Sequence, residues 1–589
     1  MFSQQKHYLL KICMFIIPLC SIWLTMIKVE TGYSTEKLIY LYTTLGLFLL
    51  SLLYALQNKK QFNYSWLDLL VILWFIYISI NFWFLPKNPA CNQYLGYLTF
   101  LLFYILFRFC KSNFQTYGIL VVLLLGGLYE ALLGILQLLE ILPPQHHIYL
   151  VTGSFFNPGP YSAYIAMALS IASGYLCNNI FSKVSVQYSK TLSTRYILRK
   201  SIYIICIITF VLSIIILPAT WSRSAIITYL FIVTLLLSKK NKKLLKRIVI
   251  PILLAIIALY IVKRESADGR ILMMIISLHS FIEKPLFGHG IGSFLHSYAS
   301  SQAAYFRDNP ISPFFSVAGA PEYSFNELLS IGVEQGIIGI IFFVLICTYS
   351  LLIFYKKHCV LFYGWLALLG ISCFSYPFSL YPFKILAAIF VASAANLAPT
   401  RFISSVRQQR ISIPIISLSI IVILLSLPRI TKKVQAFENW KLISNNQSTT
   451  FVNKYEEWYD YLSDNPYYLF EYAKSLQVLH RYNDSNAVLH RANLLSADPM
   501  FHILIGNNYK ELKAYKEAEY HYLLAHYTIP NRLYPLYQLL ILYDSIGDFE
   551  NAYKLACHIV NSKPKIQSSA TDDIQKYAKD YIEKTDNHH

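Results

Sequence analysis

Apolar stretches of roughly 20 residues, the length a helix needs to cross the hydrocarbon of a bilayer, recur along the chain as far as residue 428, separated by polar loops. They predict helices near 9–27, 38–56, 66–86, 94–109, 117–142, 160–178, 201–218, 224–238, 248–262, 335–355, 360–376, 381–398 and 412–428, a bundle of about 12 or 13 spans. Two departures from this rhythm matter. A long polar insert punctuated by glycine lies between Lys263 and Glu334, and after Pro428 the long apolar runs cease while charge, Asn and Tyr rise. The expected fold is all-α: a polytopic membrane region over 1–428 with a large loop at 263–334, then a soluble helical domain over 429–589.

The tail repeats itself. Tyr515-Lys516-Glu517-Ala518 returns as Phe549-Glu550-Asn551-Ala552 at an offset of 34, Pro530 returns as Pro564 at the same offset, and Pro466 returns as Pro499 one residue short of it. That period is the tetratricopeptide length, at which a helix pair cannot bury its apolar face alone and stacks on its neighbours. An irregular helical domain with chance proline spacing is the plainer reading, and the first repeat is irregular around Asn483–Ala487.

Composition narrows the class. With 56% apolar and 14% charged residues, the chain has too little charge to coat a soluble protein of 589 residues. The net charge of +19 is not a nucleic-acid signature either, because residues 1–428 hold 32 Lys or Arg against 12 Asp or Glu, while the tail holds 18 against 19. The surplus is topological. Basic residues crowd every second loop, among them Lys183–Lys200, Lys239–Arg247 and Arg401–Arg410, which the positive-inside rule places in the cytoplasm. The amino terminus then lies inside, and the 263–334 loop and the tail lie outside. A cysteine at Ser485 or Asn531 would report that side. The first apolar run has no cleavage pattern and reads as a retained span. Eight of the ten cysteines sit in or beside predicted helices, with neither a disulfide framework nor a metal-binding spacing.

Seven of the twelve acidic residues before position 429 fall in the 263–334 loop, so chemistry is expected at one face of the bilayer. Arg223, in Thr220-Trp221-Ser222-Arg223-Ser224, stands at the outer mouth of a span, where positive charge is normally avoided. It reads either as a snorkelling side chain or as a fork for phosphate oxygens. Arg270 follows an expected turn at Asp268-Gly269 and opens an amphipathic interfacial run, Ile271–Ile282. It pairs either with Asp268 or, together with Arg223, with a diphosphate. Gly288, Gly290 and Gly292 alternate around His289, spacing that lets backbone approach a ligand closely, although no strand precedes them as a dinucleotide fold would need. Pro321 is placed to begin a helix bearing Glu322, Asn326, Glu327 and Glu334. One of these carboxylates is a candidate general base; the alternative is helix-start stabilisation for Glu322 and solvation for the others. The loop Pro143–Pro160 is dense in turn formers and reads as a rigid re-entrant or interfacial surface, with His146 and His147 poor joint metal ligands.

In this order the residues resemble the O-antigen ligase and polymerase superfamily of envelope glycan enzymes. Gly153-Ser154-Phe155-Phe156-Asn157-Pro158 is similar to its G-x-F-x-N-P segment, and Ser222-Arg223 to its S-R motif. Arg270 with Pro285-Leu286-Phe287-Gly288-His289-Gly290-Ile291-Gly292-Ser293-Phe294 is similar to its R…P-L-x-G-x-G-x-G-x-F stretch. Phe325-Asn326-Glu327 through Gly336-Ile337-Ile338-Gly339 is similar to its H-N-E…E-x-G-x-x-G ending. The likeness spans about residues 150–345.

The resemblance implies an inverting, metal-independent, cofactor-free glycosyl transfer at the periplasmic face of a bacterial inner membrane. A polyprenyl-diphosphate-linked glycan would be the donor, with Arg223 and Arg270 on its diphosphate and Asn157, Ser222, Gly288, Gly290, Gly292 and Asn326 lining the substrate. A lipid A-core, a protein hydroxyl or a growing glycan would be the acceptor, the last making the enzyme a polymerase. One departure stands out: Phe325 occupies the place of the family's histidine, leaving Glu322, Glu327 or His289 to take its role, or a mechanism in which stabilisation of the leaving group dominates. Besides membrane lipids, the tail offers a surface for an acceptor or a protein partner. A lipid-linked glycan transporter is the competing class; its usual internal membrane duplication is not seen.

Overall fold

The computed structural model describes residues 62–85, 91–109, 115–146, 148–181, 194–238, 264–399, 402–404, 428, 431–444 and 452–586. The spans expected at 9–27, 38–56, 248–262 and, save Pro428, 412–428 lie outside these residues. The described membrane region is helical, with α1 (Trp66–Phe84), α2 (Cys91–Phe109), α3 (Gln115–Leu138), α4 (Pro158–Phe181), α5 (Thr194–Ala219) and α6 (Arg223–Ser238). After the polar insert's α7 (Arg264–Glu283) and α8 (Phe294–Asp308) come α9 (Glu327–Lys356), α10 (Leu361–Ser372) and α11 (Tyr381–Leu397). Helices within α1, α3, α5 and α9 are long and apolar enough to cross a membrane; α6, α10 and α11 are shorter apolar helices. A small antiparallel ribbon, β1 (Phe62–Tyr64) with β2 (Phe402–Ser404), is the one departure from the all-α class among the described residues.

Buried polar contacts set the register of the bundle. Ser65 and Asp68 form a reciprocal cap at the start of α1, so the first turn needs no water to satisfy its amides. Asp68 then takes a fork from Arg108 on α2, Nε to Oδ1 at 2.6 Å and Nη2 to Oδ2 at 2.7 Å, with Tyr104 donating to Oδ1 at 2.6 Å. The same guanidinium donates to Asn396 on α11, whose amide donates to the Phe107 carbonyl at 3.0 Å. Three helices are thereby keyed together in a region where unpaired polar groups are costly.

Two expected elements are corrected. No turn forms at Asp268-Gly269: α7 runs unbroken from Arg264, because helix propensity and an apolar face buried on Val333 and Phe294 outweigh one glycine. Nor does Pro321 open a helix. The segment before Glu327 is irregular, and α9 starts where the Asn326 side chain accepts from the Leu329 amide at 3.1 Å. Within α9, Gly336 adopts φ 66° and ψ −165°, breaking the helix.

The tail comprises α12 (431–444), α13 (Val452–Leu462), α14 (Pro466–Val478), α15 (Tyr482–Asn493), α16 (Met500–Glu511), α17 (Tyr515–Thr528), α18 (Tyr534–Ser545), α19 (Phe549–Asn561) and α20 (Ser569–Asp586). Tyr515 and Phe549, equivalent in the sequence repeat, open α17 and α19, and each helix packs on its sequence neighbour. The stretch Asn483–Ala487, where the sequence repeat is irregular, lies inside α15, and Asn508 donates to both Ser485 and Asn486 there.

The tail and the polar insert touch. α8 packs on α17, and His296 of α8 lies 3.2 Å from the Asn493 carbonyl. Such contact is what the expected placement of insert and tail on one side of the bilayer requires. Ser485 is fully buried and Asn531 is engaged in hydrogen bonds, so neither suits accessibility labelling. Arg307 and Lys554, with side chains 62% and 66% exposed, do. With native cysteines replaced, Arg307→Cys and Lys554→Cys are expected to react with an impermeant maleimide from the same face; opposite faces would refute this arrangement.

Candidate functional site

The residues around Arg270 come from four separate stretches of chain. Arg223 is the first residue of α6, placed there by a reversal after Pro218 in which Trp221 takes φ 52°. Its Nη2 donates to Ser266 on the first turns of α7 at 3.0 Å, tying the mouth of the bundle to the insert. One turn further along α7, Arg270 donates to the Phe374 carbonyl at 3.1 Å, and its guanidinium sits 5.1 Å from the centre of the Phe325 ring. Burial, and after it the charge of Arg223, lower the pKa of Arg270. The expected alternative, an Asp268–Arg270 pair, does not form, since positions two apart on a helix do not face each other.

Opposite the arginines, the segment 322–327 is bound to the α10–α11 connection. Tyr323 stacks on Tyr376 with centroids 4.1 Å apart, Phe325 meets the same ring edge-on at 5.0 Å, and Asn326 donates to the Cys373 carbonyl at 3.1 Å. Phe325 holds φ 51°, a left-handed conformation that costs a non-glycine residue about 1–3 kcal/mol and persists only where neighbours over-determine it. Glu322 is exposed, within electrostatic range of Tyr376. Asn157 caps α4 by accepting from the Gly159 amide at 2.9 Å. A Cβ at Gly159 would lie 4.0 Å from the Tyr376 hydroxyl, so the G-x-F-x-N-P segment borders the same centre. Ser222 lies beside Arg223, its Oγ 3.4 Å from that of Ser224.

Other candidates are elsewhere. The Nε2 of His289 is 2.9 Å from the Ser280 carbonyl and 3.7 Å from Glu283, roughly 15 Å along α7 from Arg270. The backbone approach that the glycines permit is to α9. His289 N donates to Val333 at 2.7 Å, Gly290 N to Glu334 at 3.0 Å, and Ile337 N returns to Pro285 at 2.8 Å. A Cβ on Gly288 would sit 2.5 Å from the Glu334 carbonyl carbon, and one on Gly336 2.2 Å from the Leu286 oxygen. Asn81 of α1 completes this joint, donating to Phe287 at 2.8 Å and accepting from Ile291 N at 3.1 Å.

Glu327 and Glu334 are buried, at 5% and 2% exposure, rather than solvated. Glu327 accepts from the Ser379 amide at 2.9 Å, and both carboxylates lie in the field of Lys384, a buried lysine of α11 whose ammonium stands 4.6 Å from the Tyr97 ring centre. Gly96 leaves the room: a Cβ there would be 2.5 Å from Lys384 Nζ. Sequence reasoning did not single out Lys384, nor Glu130, whose carboxylate accepts from Ser154 N at 3.1 Å and Oγ at 2.6 Å and folds the Gly153–Asn157 segment onto α3. The signal was present in both cases, an ionisable residue inside an apolar run. Tyr376, which organises the site, carried none.

The four described helices long and apolar enough to cross a membrane are those of a multi-pass membrane protein. The family model described as O-antigen ligase matches residues 208–344, the stretch that carries Arg223, Arg270, the glycine joint and Glu322–Glu334. Over that stretch the chain is similar to a family that transfers or polymerises glycans, which implies a lipid-linked glycan donor and an acceptor. No curated protein matches the chain.

Removing Lys384 leaves two buried carboxylates without their cation, and loss of one member of such a cluster costs about 3–5 kcal/mol. Lys384→Met is expected to lower the thermal stability of the solubilised protein, and adding Glu327→Gln is expected to recover part of the loss. Equal stability of wild type and Lys384→Met would show that the cluster is not coupled.

Proposed function

We propose that this protein is an inverting, metal-independent glycosyltransferase of the bacterial inner membrane, moving a glycan from a polyprenyl-diphosphate carrier to an acceptor at the periplasmic face. The observation that carries the reading is the approach of Arg223 and Arg270 from different helices, close enough that one charge lowers the pKa of the other. Like charges repel, and a pair held in place by Ser266 and the Phe374 carbonyl is preorganised for an anion bearing more than one charge. The match to the O-antigen ligase family supports a lipid-linked diphosphate as that anion.

In this reading the acceptor hydroxyl oxygen attacks the anomeric carbon while the bond from that carbon to the diphosphate oxygen breaks. The polyprenyl diphosphate leaves with the electron pair, and the two guanidinium groups stabilise its growing charge in place of a metal ion. The hydroxyl proton goes to Glu322, the exposed carboxylate beside Tyr376; Glu327 is enclosed by its own contacts, and His289 is too far along α7. The reading divides the chain near residue 428, with a periplasmic tetratricopeptide-like tail. A tail of stacked helices favours a macromolecular acceptor, a lipid A-core or a protein hydroxyl, over the second lipid-linked glycan of a polymerase.

Purified protein in proteoliposomes with labelled donor tests this directly. Bond transfer to the acceptor supports the reading, extension of lipid-linked chains selects the polymerase, and movement between leaflets without bond transfer refutes the enzyme. Arg223→Lys and Arg270→Ala are each expected to reduce turnover on the order of a hundred- to a thousandfold, because a lysine offers a point charge in place of a fork. Near-normal transfer by both variants would place the diphosphate elsewhere. Glu322→Gln is expected to lower turnover at least tenfold with donor binding retained, and unchanged turnover would remove it as the proton acceptor.

A further inference from the structure

Between α8 and the candidate site the chain runs through a short strap, residues 309–321, whose only regular element is a single 3-10 turn at Phe315–Val317. The strap reaches the site at two points. Val317 lies about 4 Å from where a Cβ on Gly269 would stand, one residue before Arg270, and residue 321 leads directly into Glu322–Asn326. So short a turn cannot fix itself, and its carbonyls need partners.

The tail supplies them. The side-chain amide of Asn531, in the α17–α18 connection, donates to the Phe315 carbonyl at 3.1 Å and the Ala318 carbonyl at 3.0 Å, with Ser316 O at 3.3 Å. Gln302 of α8, itself fully buried, donates to Gly319 at 3.0 Å and to the Thr528 carbonyl at the end of α17. Beside Asn531, Arg532 reaches Asp498 at 3.3 Å, and Tyr467 of α14 is raised in pKa by burial and then by Glu322 and Asp498. Two amides thus bind the carbonyls of Phe315, Ser316, Ala318 and Gly319, and the tail's own tyrosine lies in the field of Glu322.

Building on the function proposed above, we infer that the tail is a positioning element of the transfer site: Asn531 and Gln302 clamp the strap and so hold Arg270 and Glu322 in register across it. Asn531 touches no substrate and acts through the strap. The tail then sets turnover as well as offering a surface to the acceptor.

The test uses the full chain in proteoliposomes. Asn531→Asp keeps the shape but replaces the donating amide by a carboxylate facing carbonyls. It is expected to lower kcat at least tenfold with the donor KM within about twofold, and to make Phe314 and Phe315 susceptible to chymotrypsin while the tail stays resistant. Gln302→Leu, outside the tail, is expected to do the same, which covers the case in which Asn531→Asp unfolds the tail; Lys554→Ala is expected to change nothing. Wild-type kcat and a protected strap in both variants would overturn the inference. A wild-type protein that transfers no glycan would overturn the function instead, and the chymotrypsin comparison would still decide whether the clamp exists.

Discussion

The interruption of α9 at Gly336 is the constraint on which the rest depends. A helix that breaks inside a membrane region exposes backbone groups that water cannot reach, and these must find partners within the protein. Here they find Pro285, His289 and Gly290, so backbone of the polar insert completes backbone of the membrane helix. Neither Gly288 nor Gly336 has room for a Cβ, and both hold positive φ. The joint fixes where α7 ends, and α7 carries Arg270. Glu334 and Gln335 flank the break, and Gln335 binds Trp74 and Tyr97, so the same point is anchored to α1 and α2.

The candidate site above this joint is assembled with deliberate tension. Two arginines are brought within each other's field, a phenylalanine is held left-handed against one of them, and a buried lysine faces two carboxylates one helical stretch away. Each feature is unfavourable alone and persists because neighbouring contacts over-determine it. Tyr376 is the centre of that restraint, packed on both Tyr323 and Phe325 beside the cap of α4. Phe325 makes its ring a wall for Arg270.

The tail is bound into this arrangement by the packing of α8 on α17 and by polar contacts to the strap carbonyls, while its two cores are built from its own helices. Such contacts depend on direction and distance. They suit an element whose role is to hold a strap in one place.

What the sequence determined by itself was whatever depends on local pattern. Apolar run length marked α1 to α6 and α9 to α11, and the change after Pro428 announced a helical tail. Order of motif along the chain also brought Arg223, Arg270 and Glu322 forward as candidates. Tertiary structure alone decided which of them meet. Gly288, Gly290 and Gly292 looked like a ligand cradle because glycine signals close approach, and only the fold says that what approaches is α9. Glu327 and Glu334 looked solvated because a carboxylate is cheapest in water, until α11 brought Lys384 to them from fifty or more residues away. Tyr376 and Asn531 act through partners distant in sequence, and a side chain's partners at that range are set by packing, which no local pattern encodes.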